Sequence, residues 1–221
     1  MRARGSILTA LVALVLAGTT ASAHAAPASI IAGAVGANPN QFSAPSYNHD
    51  AGTTATMTWM AGGPHNVTAS ATGPDGKPIF ESDTIGSGAT AVRGTQFLPL
   101  GTYPFVCTIH AGMNSTLNVN AGTLLPRPSV AVKLLSKSLD KVVKKGKANV
   151  KVTLGGTEPA TVTLKLGKLT LGTKNTTQSG TLVIPISKAG KTALSRKSKA
   201  SLSIEAAVAF GTPTKATGKL S

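Results

Sequence analysis

The sequence predicts an all-β protein built as two consecutive sandwiches, and three observations lead there. Gly (24) and Pro (13) are abundant among the 221 residues, so tight turns must be frequent. Apolar residues alternate with polar ones in short runs rich in Val and Thr, which is the period of a half-buried strand. Composition also divides the chain. Residues 24–125 carry two basic and four acidic side chains together with Phe42, Tyr47, Trp59, Phe80, Phe97, Tyr103 and Phe105. Residues 126–221 carry eighteen basic and three acidic side chains, with Phe210 as their one aromatic. Two such different compositions imply two separate cores. With 41% apolar and 13% charged residues, the chain is no disordered polycation despite its net charge of +15.

The elements follow in order. Arg2 and Arg4 precede an apolar run from Ile7 to Ala17 and then the small residues Ala21-Ser22-Ala23-His24-Ala25-Ala26. That is the layout of a secretory signal peptide, assigned to residues 1–26. The run is shorter than the roughly 18 residues of a membrane span, and no cysteine stands at the cleavage site to take a lipid. Export is therefore expected, to the periplasm, the cell envelope or the medium. Residues 27–123 form the first domain, with strands at 28–32, 53–60, 66–72, 79–83, 90–98, 101–107 and 115–120, separated by turns such as Gly62-Gly63-Pro64 and Gly73-Pro74-Asp75-Gly76. Seven short strands in this length suggest a Greek-key sandwich. Pro126 and Pro128 stiffen a linker at 124–129. Residues 130–221 form the second domain, with strands at 130–134, 148–154, 160–166, 181–186 and 202–210, and a helical turn at 187–195 capped by Ser187. Alternation there puts lysines outward and Ala, Val, Leu and Ile inward. The lysine-rich run 141–147 reads as a solvated turn.

Chemistry concentrates at four residues. Cys107 is the only cysteine, so in an oxidising compartment it is a buried thiol, an intermolecular bridge, or a reactive or metal-binding thiolate. It stands in Tyr103-Pro104-Phe105-Val106-Cys107-Thr108-Ile109-His110-Ala111-Gly112-Met113, and His65 stands upstream in Gly63-Pro64-His65-Asn66. One thiolate, two imidazoles and one thioether suit copper cycling between Cu(I) and Cu(II), with Cys107, His65 and His110 in a trigonal plane and Met113 as a weak axial ligand. Cys107 ends a strand on the same face as Tyr103 and Phe105, and Gly112 allows a tight loop to return His110 and Met113 to it. His49 is expected in a surface loop, and His24 at or before the mature N-terminus. Met57 and Met60 are expected in the core.

These motifs resemble the plastocyanin-like blue copper proteins of the cupredoxin family, with the short Cys-x2-His-x2-Met ligand loop of the amicyanin-like members. Asp50-Ala51-Gly52-Thr53-Thr54 before Met57-Thr58-Trp59 is similar to the family's turn into the strand preceding the first histidine, so the resemblance covers about residues 28–122. It implies one type 1 copper held by His65, Cys107, His110 and Met113, with Asn66 and Thr108 beside the ligands. Asn66 would tie the two ligand loops together and offer its backbone N–H to the thiolate. His110 would bring a ring edge to the surface among Pro64, Ala111 and Gly112, where electrons leave for a redox partner. Many relatives have proline at the positions of Ile109 and Ala111. The Ile109 N–H retained here would donate to the Cys107 sulfur. Residues 130–221 resemble the small immunoglobulin-like modules that end many secreted bacterial proteins, through Ala160-Thr161-Val162-Thr163-Leu164 and Ile186-Ser187-Lys188-Ala189-Gly190-Lys191.

The expected function is single-electron transfer between redox proteins. The alternatives are a protein that sequesters or delivers copper, and an envelope protein using the copper fold as a scaffold. A dinuclear purple centre needs a second cysteine, multicopper oxidases need His-x-His pairs, and the hydrolase motifs His-Glu-x-x-His and Gly-x-Ser-x-Gly do not occur. No enzymatic activity is expected. The basic half should attract anionic cell-wall polymers or a membrane surface, and without an aromatic stacking platform no nucleic acid is expected.

Overall fold

The computed structural model describes residues 26–33 and 38–221. Apart from Ala26, the expected signal peptide lies outside the described residues, as does His24. Among the described residues, no helix is long and apolar enough to cross a membrane.

The first half forms one eight-stranded sheet from β1 (Ser29–Ala32), β2 (Ser46–Ala51), β3 (Ala55–Trp59), β4 (Thr68–Ala69), β5 (Glu81–Ser82), β6 (Ala89–Arg93), β7 (Gly101–Val106) and β8 (Asn114–Gly122). The strand order is β1-β3-β6-β5-β4-β7-β8-β2. The two end pairs, β1 with β3 and β2 with β8, are parallel, and the pairs between them are antiparallel. The sheet curls until its ends meet: Ala32 bridges Phe42, and the Ser43 N–H donates to the Ile31 carbonyl. Inside it, Phe105 is fully buried and packs edge-on against Phe42 with ring centroids 4.9 Å apart, and against Phe80 at 6.3 Å. Aromatic area of this kind dominates core energetics, and here it anchors β7 two residues before Cys107.

Three expectations for this half are corrected. His49 is not in a surface loop: it lies on β2, an unpredicted strand, and is 1% exposed. Its Nδ1 accepts the Ala28 N–H at 3.0 Å, and its Nε2 lies 3.1 Å from the Thr53 carbonyl, so two backbone partners satisfy a buried ring. Met60 falls just past the end of β3 and is 47% exposed, whereas Met57 is buried. The strand expected through 98 ends at Arg93, where Gly94 turns the chain at φ 95° into a 3-10 turn, Thr95–Phe97.

The second half is an antiparallel sandwich. One sheet holds β9 (Ser129–Leu134), β10 (Lys147–Gly155) and β13 (Gly180–Pro185) in the order β13-β10-β9, and the other holds β11 (Ala160–Leu166), β12 (Leu169–Thr176), β14 (Ala200–Val208) and β15 (Thr214–Leu220) in the order β12-β11-β14-β15. Alternation fills its interior with aliphatic residues: every second residue of β14 is buried, as are Ala148, Val150 and Val152 of β10, with Leu154 partly buried. Two helices, α1 (Leu139–Lys145) and α2 (Lys188–Ser195), are capped by the hydroxyls of Ser138 and Ser187, which accept the N–H groups of Lys141 and Gly190. The run 141–147 is thus not a simple turn. Most of it is α1, which buries Leu139 and Val142 and places Lys144 and Lys145 in its last turn, where the helix dipole favours positive charge.

The halves touch at Phe210. It is 6% exposed, adopts φ 61°, and packs at a tilt against Phe97 with ring centroids 6.3 Å apart, while its carbonyl accepts from Arg127 Nη1. A Cβ on Gly94 would meet this ring at 2.8 Å, so a glycine is needed beneath it.

Candidate metal centre

Two neighbouring ladders build the site. β4 pairs with β7, with Thr68 opposite Val106. Continuing that register brings Asn66 to Thr108. The Thr108 N–H donates to Asn66 Oδ1 at 2.8 Å, and Asn66 Nδ2 donates to Thr108 Oγ1 at 2.7 Å and to Thr84 Oγ1 at 3.3 Å. The β7–β8 hairpin ends on one further rung beyond Val106 and Asn114, in which the Cys107 N–H donates to the Met113 carbonyl at 2.9 Å. Residues directly opposite in a ladder project to the same face with Cβ atoms about 5 Å apart. Met113 is therefore beside Cys107, and both are buried, at 1% and 4% exposure. The five-residue loop between them turns through Gly112, whose φ of 78° is the left-handed conformation that glycine adopts without strain.

His65 enters from the other side, in an isolated bridge with Ile85 that exchanges both backbone hydrogen bonds at 2.9 Å. Its ring is fully buried. Nε2 lies 3.0 Å from the Ala61 carbonyl and must donate to it, which leaves the Nδ1 lone pair free to face the sulfur. Such a backbone acceptor behind a histidine sets its tautomer and orientation. Cys107 Sγ lies 3.9 Å from His65 Nδ1 and 3.6 Å from His110 Nδ1. The three donor atoms lie within 4.8 Å of one another.

Those distances can be tested against a metal. At nitrogen and thiolate bond lengths of about 2.0 and 2.3 Å, a trigonal ion holds the two donors roughly 3.7 Å apart, and the observed separations bracket that value. The donor set therefore fits copper with Met113 alongside. Among the described residues, the Sγ atom has only the two imidazole nitrogens within hydrogen-bond range. Neither the Asn66 N–H nor the Ile109 N–H reaches it, so those two expected contacts do not form. Ile109 instead turns out to solvent, 49% exposed.

His110 is half-buried, with Pro64, Ile109, Ala111 and Gly112 exposed around it. A Cβ on Gly63 would come 3.3 Å from His110 Nε2, so the bare backbone there keeps the ring edge uncovered. The Gly63 carbonyl is itself held by Trp59 Nε1–H at 3.0 Å. Sequence reasoning missed the Ala61 carbonyl, Thr84 and Gly63. Only the Gly62-Gly63-Pro64 turn signalled that backbone would matter at this point.

Residues 31–120 match the family model of copper binding proteins of the plastocyanin/azurin family. Among solved structures, an amicyanin variant in its Cu(I) form is 20% identical over 42% of this chain and 82% of that one, with a TM-score of 0.34. A purple cupredoxin from Nitrosopumilus maritimus is 25% identical over 42% of this chain and 99% of that one, with a TM-score of 0.33. Fibronectin(III)-like modules of Clostridium thermocellum CbhA are 11% identical over 78% of this chain and 87% of theirs, with a TM-score of 0.30. No curated protein matches the chain. The match to this copper-binding family and the donor cluster agree on copper as the cofactor of this half.

Proposed function

We propose that the protein is exported and carries single electrons between redox proteins through one type 1 copper held by His65, Cys107, His110 and Met113. The observation that carries this reading is the convergence of one buried sulfur and two imidazole Nδ1 atoms on a single point, with His65 already fixed in the ligating tautomer. Bound copper supplies a one-electron Cu(II)/Cu(I) couple there.

The chain's own residues do the rest. Ala61 and the Ile85 bridge hold His65, the Cys107–Met113 rung holds the sulfur, and the Asn66–Thr108 pair locks the two ligand loops to each other. Ligands fixed by strands and hydrogen bonds move little when the charge at the site changes, so little reorganisation opposes transfer. Burial of Cys107, His65 and Met113 excludes water from the donor side. His110 alone reaches the surface, and the exposed Pro64, Ile109 and Ala111 give a partner an apolar place to rest against it.

The test is the visible absorption of the purified chain with one equivalent of Cu(II). An intense thiolate-to-copper band that Cys107→Ser abolishes is expected, together with reversible one-electron reduction. A chain that binds copper without that band, or that gives up the metal on reduction, refutes the carrier reading.

A further inference from the structure

The second sandwich treats lysine differently on its two outer faces. On the four-stranded sheet, Lys165 of β11 and Lys215 of β15 flank Glu205 of β14, with Nζ to carboxylate distances of 2.5 and 3.1 Å. Hydrogen bonds from Lys165 first and Lys215 second hold the Glu205 carboxyl below its usual range. On the three-stranded sheet, Lys151 of β10 stands directly opposite Lys133 of β9, both exposed. Like charges facing each other across a ladder destabilise it. No acidic residue occurs in β9, β10 or β13, and among the described residues neither lysine belongs to an ion pair.

The charge continues along β10. Lys147 and Lys151 lie on its exposed side, and Lys147 joins Lys137, Lys141 and Lys145 around a cavity of about 170 Å³ beside α1. A water takes about 30 Å³ in the liquid, so the cavity has room for a phosphate group. Asp140, the one acidic residue of α1, is not part of its wall.

We infer that this face and cavity form a binding surface for a phosphate-bearing polyanion, met as a free polymer. Six ammonium groups with no acidic partner concentrate positive potential on one side of the domain, and a polyanion relieves the Lys133–Lys151 repulsion that the fold leaves standing. The exposed positions of β9 and β10 carry nothing more apolar than Ala131. Just past β9, Leu135 is a single large apolar side chain, 39% exposed, too small an apolar area to anchor the face in a bilayer, and the face has no ring on which a base could stack. Lysine ammonium groups act as point charges rather than bidentate forks, which suits a repetitive chain of phosphates better than one oriented ligand.

The experiment uses the full copper-loaded chain and long-chain inorganic polyphosphate, with affinity measured across a sodium chloride series. A variant with Lys133, Lys141, Lys145 and Lys151 changed to Gln is compared with one of equal net charge in which Lys168, Arg196, Lys197 and Lys215 are changed to Gln. The first should lose at least tenfold in affinity at 50 mM salt and flatten the slope of log K against log salt by about 3, since each phosphate contact contributes somewhat under one unit. The second should lose less than threefold. Equal losses in the two variants would overturn the assignment to this face, and so would no binding by the unmodified chain. Vesicles containing phosphatidylglycerol form a second arm: binding to them in preference to polyphosphate would overturn the free-polymer reading. A cooperative calorimetric transition of the second sandwich, present in both variants, verifies that each is folded.

Discussion

The two sandwiches solve the same packing problem with different materials. The second alternates so regularly that aliphatic residues fill its interior and lysines its exterior, and its strands run six to nine residues. The first interrupts its ladder with strands of two residues at β4 and β5 and fills the middle with aromatics. Short strands release the backbone sooner, and the segments released beside β4 and beyond β7 are those that bring His65 and Cys107 together. Regularity favours a scaffold, whereas a preformed metal site needs loops that are held by something other than a ladder.

If the cores are independent, damage to one should leave the other's property intact. Phe105→Ala should cost the first sandwich about 3–5 kcal/mol and disturb the copper band. Leu164→Ala should cost the second about 2–5 kcal/mol and leave that band alone. Two transitions in a calorimetric scan, only one of them shifted by each variant, verify this; a joint shift would mean that the Phe210 contact couples the halves.

A smaller change sharpens the claim about loops. Asn66→Ala removes the side chain that accepts the Thr108 N–H and spans to Thr84, at an expected cost of about 1–3 kcal/mol. It should also shift the energy of the copper band and slow electron self-exchange. An unaltered spectrum would mean that the ladders alone position the ligands.

The smallest effect is a pH dependence confined to the first sandwich. Burial above all holds His49 below its ordinary value, against the opposing effects of its backbone hydrogen bonds and of Asp50. The unfolded chain therefore binds a proton that the folded chain does not. The stabilisation from a neutral His49 is complete above about pH 6.5, and it falls as pH drops below that value toward the folded-state pKa. Its slope cannot exceed about 1.4 kcal/mol per pH unit for one proton. Scans from pH 8 to 5 should show the first transition falling more steeply in the native chain than in His49→Gln, with the second transition indifferent to the substitution.

Much of this was legible in the sequence because alternation and donor chemistry are both written in residue types. Val150, Val152, Ile204 and Ala206 announce their strands, and a thiol, two imidazoles and a thioether announce a soft metal. What escaped was written in backbone or in polar residues. β2 reads Ser-Tyr-Asn-His-Asp-Ala and buries His49 and Ala51, so no apolar period betrays it. The edge strands β12 and β15 bury only Leu171 and Leu220 respectively and look like loops. In α1 the lysines masked the signals of Ser138 and Gly146 at its two ends. The Ala61 carbonyl that orients His65 could not have been read at all, since every residue has a carbonyl.

Trp59 is the only tryptophan, and the two tyrosines, Tyr47 and Tyr103, also lie in the first sandwich. The second sandwich is therefore optically silent in the near ultraviolet except for Phe210. Because the indole N–H is bonded to the Gly63 carbonyl, two residues before His65, the chain carries its own lamp beside the ligand loop. Whatever occupies or loosens that loop is reported by light from one known place, while the basic half stays dark.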